Sequence, residues 1–109
     1  MGVLKMNMET YTKNLKKVIE SRHNVEDLLK RAIASIHYVE MTDDQHVETK
    51  KLIERSKELI ISGNIILKTV TDKEHIGEQY KEKLEESCEL FKEATDYVNQ
   101  VLDLIESLK

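Results

Sequence analysis

A chain of 109 residues with no proline, three glycines and 35 % charged side chains has room for one domain and the composition of long helices. Its 39 % apolar residues recur at regular spacing, which argues against a disordered chain, and its net charge of −4 argues against nucleic acid as a direct partner, because phosphate binding needs concentrated Lys and Arg. The single cysteine, Cys88, forms no internal disulfide and asks for no oxidising compartment.

Residues 1–10 lack the apolar segment of a secretory leader, and Met6 stands where a myristoylation signal wants Ser or Thr. The most apolar stretch, residues 59–70, holds Ser62, Asn64 and Lys68 and falls short of the roughly 20 apolar residues that span a membrane. The expectation is a cytoplasmic protein with no membrane partner.

A first helix is predicted over residues 8–41. Tyr11, Leu15, Val18, Arg22, Val25, Leu29, Ala32, Ile36 and Val39 form an unbroken heptad stripe, and Ile19, Leu28 and Ile33 widen it enough to meet two neighbours. Asn24, followed by Glu26 and Asp27, is an acceptable N-cap and offers a possible break, but the heptad phase runs through it. A second helix is predicted over 43–70, opened by a capping box in which Thr42 is N-cap and Gln45 the third residue, with Asp43 and Asp44 at the positive end of the dipole. Its stripe is Leu52, Ser56, Leu59, Gly63, Ile66 and Val70, flanked by Ile53, Ile60 and Leu67. Gly63 either kinks this helix or, in the favoured reading, pairs with Ser56 one heptad away to let a neighbouring backbone come close. Thr71 and Glu74 read as a second capping box opening a third helix over 73–108, with the stripe Tyr80, Leu84, Ser87, Phe91, Ala94, Val98, Val101, Ile105 and Leu108 and a secondary stripe of Leu90, Tyr97 and Leu104. Connections this short force consecutive helices to reverse. The expected fold is all-α: an elongated, coiled-coil-like antiparallel three-helix bundle, one domain over residues 1–109.

Chemistry is sparse. Glu20 and His23 match the Glu-x-x-His spacing of metal-carrying bundles, and His37 with Glu40 has the reverse order. Asp43 with His46 and Asp72 with His75 resemble it with a shorter acid. Such a site needs two pairs and further carboxylates pointing inward; His23 lies off the stripe, and His46 and His75 fall in first turns. These histidines therefore read as solvated, and no metal or cofactor is expected; a metal-binding bundle with a redox or storage role, resting on Glu20, His23 and His37, is the alternative. His37 borders the first stripe beside Ile33 and Ile36, but the Lys-Gly pair of phosphotransfer domains is absent. Cys88 sits between Glu86 and Glu89, a setting that disfavours a thiolate nucleophile. No enzyme is expected.

Two surface features stand out. Ile61 and Ile65, one turn apart, fall opposite the core side of the second helix and predict an interface. Residues 72–109 carry five Lys against eleven acids, with Glu78, Glu82, Glu85, Glu86, Glu89, Glu93 and Asp96 strung along one helix. That run is either a solvated face partly neutralised by Lys13, Lys16, Lys17, Lys30 and Arg31, or an acidic docking face. The functional expectation is a non-enzymatic protein–protein interaction module, a small bundle that forms a homodimer or docks on a larger protein, in the manner of a chaperone, an inhibitor or immunity protein, or a phage accessory protein. A further alternative is an acidic inhibitor that covers the basic surface of a nucleic-acid-binding protein.

Overall fold

The stripes become the inner faces of three helices, α1 (Gly2–Ile36), α2 (Asp43–Lys73) and α3 (Glu78–Ser107), in a computed structural model that describes residues 2–73 and 78–109, and the side chains of 9–71 and 80–109. The bundle measures 61 × 19 × 16 Å, the elongated three-helix arrangement expected from the heptads.

Side-chain pairings set the helix directions. Tyr11 meets Tyr80 edge to face with centroids 4.8 Å apart, and Ser21 Oγ lies 3.8 Å from Cys88 Sγ, so α1 and α3 run parallel. Ser87 Oγ donates to the Gly63 carbonyl at 2.9 Å and Ser56 Oγ approaches the Ala94 carbonyl at 3.4 Å, so α2 runs antiparallel to α3. The small residues Ser56, Gly63, Ser87 and Ala94 draw these two helices together, and Gly63 lies under the Phe91 ring. α2 stays helical through Gly63 and α1 through Asn24.

α3 is the central helix. Its backbone lies close against both neighbours, whereas those of α1 and α2 come near each other at few points. Burial records the difference: Tyr80, Leu84, Phe91, Ala94, Val98, Val101 and Ile105 of α3 are all covered, but among the described side chains of α1 only every seventh residue, Val18, Val25 and Ala32, is. Leu15, Ile19, Leu28 and Leu29 are half-buried, and Ile33 is 37 % exposed. The broad apolar stripe of α1 thus meets one neighbour closely and the other only loosely.

The boundaries differ from the expectation at both ends of α1, at the end of α2 and at both ends of α3. α1 is helical from Gly2 rather than residue 8, since a helix needs no apolar stripe to propagate. It ends at Ile36 rather than 41: the amides of His37, Tyr38 and Val39 donate to the carbonyls of Ala34, Ser35 and Ile36, a tightening of the last turn. Val39 and Met41 keep the apolar pattern because they pack on the end of the core from the turn, where Thr49 Oγ1 donates to Met41 Sδ at 3.7 Å. The Thr42 capping box forms in full, Thr42 N donating to Gln45 Oε1 at 2.9 Å and Gln45 N to Thr42 Oγ1 at 3.2 Å. The second one does not cap at Thr71. α2 continues to Lys73, and the Thr71 hydroxyl donates back to the Lys68 carbonyl at 3.1 Å, an option that lets threonine remain inside a helix. Residue 73, the predicted start of the third helix, is instead the last of α2, and α3 spans Glu78–Ser107; Glu74 and His75 lie outside the described residues.

Candidate protein-binding surfaces

The inner side of α2 is covered at Ile53, Leu59, Ile60, Leu67 and Val70, while Ile61 and Ile65 are 58 % and 62 % exposed. Helical geometry places residues that are four apart on one face, so the two isoleucines form a single outward apolar patch. Val47 and Tyr38 are also largely exposed. Neither was singled out by the sequence pattern, Tyr38 because it was assigned to a helix that ends before it.

On α3, Glu82, Glu85, Glu86, Glu89, Glu93 and Asp96 all face solvent; the Glu78 side chain is outside those described. Glu86, Glu89, Glu93 and Asp96 line a shallow depression of about 460 Å³ together with Leu90 and Lys92. Among the described residues the ion pairs join Arg22 to Glu26 within α1, Arg55 to Glu58 within α2, and Lys109, just beyond α3, to Glu106 in its last turn. Lys13, Lys16, Lys17, Lys30 and Arg31 of α1 therefore do not neutralise the described acids of this face by direct pairing. Tyr97 of the secondary stripe lies beside α2, where its hydroxyl, and to a lesser degree the charge of Glu58, raises the pKa of the exposed Arg55 guanidinium.

A third surface had no signature in the sequence. Where α1 and α2 stand apart, a cleft opens along their seam. Toward the α1–α2 turn it widens to about 420 Å³, lined by Ile33, Ile36, His37, His46, Thr49, Lys50, Ile53, Glu54 and Lys57. Toward the other end it holds about 380 Å³ between Ile19, Arg22, Asn64, Leu67, Lys68 and Thr71. Asn64 Oδ1 is buried with no hydrogen-bond partner.

The proposed metal ligands do not converge. Glu20 and His23 are exposed on α1, and His37 lies in the turn beyond it, roughly 20 Å from His23 along the axis. No group of three or more His, Cys, Asp or Glu side chains suited to a metal ion occurs among the described residues. Cys88 is half-buried against Ser21. No described helix is long and apolar enough to cross a membrane.

Comparison of the chain with protein-family models, characterised proteins and solved structures finds no match. Its functional reading therefore rests on these surfaces.

Proposed function

We propose that this protein is a non-catalytic interaction module that self-associates through the outer face of α2. The observation carrying this reading is the exposure of Ile61 and Ile65, at 58 % and 62 %, on the side of α2 turned away from its packing against α3. Covering each side chain contributes about 1.5–3 kcal/mol, and a second copy of the same face supplies the same patch in return, as two-fold association requires. The bundle contributes rigidity: α2 is clamped to α3 along its length, so the patch is presented without an ordering cost.

Light scattering on a sizing column over a hundredfold concentration range tests it. The expected result is twice the 12.7 kDa of one chain, reverting to a single chain in Ile61→Lys/Ile65→Lys. A monomer at every concentration would end the self-association reading and leave the patch to a different protein.

The solvent-facing acids of α3 favour a second reading, a docking face for a basic protein such as one that binds nucleic acid. Such a complex would weaken steeply with added salt, and Glu86→Lys/Glu93→Lys would abolish it without altering the homodimer.

A further inference from the structure

We propose that the cleft between α1 and α2 is a docking groove for one amphipathic helix of another protein, whose apolar ridge is flanked by acidic residues. This goes beyond the homodimer, whose patch adjoins the groove on α2: Ile61 is one heptad from the rim residues Glu54 and Lys68.

The groove arises because one seam of the bundle is open. α3 lies against both neighbours while α1 and α2 approach each other at few points, and the floor between them is apolar, from Ile19, Ile33 and Ile36 of α1 and Ile53 and Leu67 of α2. A fourth helix laid in that seam would complete a four-helix arrangement. From Ile19 to Ile36 the seam is roughly 25 Å long, about five turns of such a helix.

Charge selects the occupant. Lys50, Lys57 and Lys68 line the cleft, against which the lining acid is Glu54; Arg22 also lines it and is matched by Glu26 at 3.7 Å. A helix with basic flanks would be repelled, and one with acidic flanks would neutralise the rim.

This chain does not offer that helix itself. The acidic face of α3 has only the half-buried Leu90 as an apolar member of its depression, and the Ile61–Ile65 patch is flanked by Glu58 and Lys68, one of each sign. The occupant is therefore another protein.

The test uses two labelled helical peptides of about 20 residues with the same leucine heptad ridge, flanked by Glu in one and by Lys in the other. Each is titrated with the intact chain by fluorescence anisotropy, at concentrations where the peptides are monomeric. The Glu peptide is expected to bind about tenfold or more tighter than the Lys peptide. In Lys50→Glu/Lys57→Glu/Lys68→Glu, confirmed as folded by circular dichroism, the preference reverses, and Ile33→Asp weakens binding of either peptide. Binding of neither peptide, equal binding of both, or a Glu preference that survives in the triple variant overturns the proposal. So does self-association that Ile33→Asp abolishes, because that residue lines the groove from α1 and its effect would assign the groove to a second copy. Light scattering on Ile61→Lys/Ile65→Lys tests the homodimer by itself, since those residues adjoin the rim without lining the groove.

Discussion

The Gly63 backbone and the Phe91 ring share one site: a Cβ at Gly63 would fall 2.8 Å from Phe91 Cε1 and 2.9 Å from Cζ. Phe91 has no exposed surface and so no room to retreat. In an open helix Gly→Ala stabilises by about 1 kcal/mol, but overpacking a filled core costs about 1–3 kcal/mol, and here the second effect wins. Gly63→Ala is expected to lower the midpoint of urea unfolding. In a double-mutant cycle with Phe91→Leu, which frees space at the ring, Gly63→Ala becomes neutral or stabilising. A Gly63→Ala penalty unchanged by Phe91→Leu would mean that the two residues do not share the site.

Ser87 reinforces this contact from the opposite helix. Its hydroxyl, fully buried, donates to the Gly63 carbonyl at 2.9 Å. Ser87→Ala leaves that carbonyl its place in the helical hydrogen-bond ladder and should cost about 1 kcal/mol. Ser87→Val adds bulk where the backbones are drawn together and should cost more. Chemical denaturation of the two variants side by side checks the order; the reverse order would show that the hydroxyl, rather than its small size, is what the position requires.

The Thr42–Gln45 box fixes where α2 starts, through bonds at 2.9 and 3.2 Å. Thr42→Ala should destabilise by about 0.5–2 kcal/mol. Gln45→Ala should cost less, and because each residue's bond depends on the same turn, the double variant should lose less than the sum of the two. Thr71→Ala, which removes only a bond back to Lys68, should change stability by less than about 0.5 kcal/mol. Equal losses at Thr42 and Thr71 would mean that both threonines cap.

Replacing outward isoleucines should separate association from folding. Ile61→Lys and Ile65→Lys, measured at a concentration where the chain is monomeric, should shift stability by less than about 0.5 kcal/mol each. Ile60→Lys, one position away but 7 % exposed, buries a charge without a partner and should cost several times more, in the range of about 3–5 kcal/mol. Thermal melts of the three variants provide the comparison, and a large loss in Ile61→Lys would show that the outer face of α2 supports the fold itself.

What the sequence determined is local or periodic. Heptad spacing identified three helices and nearly every residue of the core, because a helix must bury one continuous face. Thr42 and Gln45 announced a helix start, because a capping box is closed by residues three apart. Ser56 and Gly63 announced a close approach, and Ile61 and Ile65 an uncovered face, since both follow from angular position on one helix. Thr71 and Glu74 carried the same capping signature, yet Thr71 stays within α2, because a threonine hydroxyl can bond equally to a carbonyl one turn back. The end of α1 was hidden for a related reason: Val39 and Met41 continue the apolar pattern while packing from a turn. Only the tertiary structure decided that α3 is central, that α1 and α2 stand apart, and that Arg22, Lys50, Lys57 and Lys68 gather around one apolar seam. Those facts depend on the spacing between helices, which three independent periodic stripes leave free and which the packing of small residues between α2 and α3 sets.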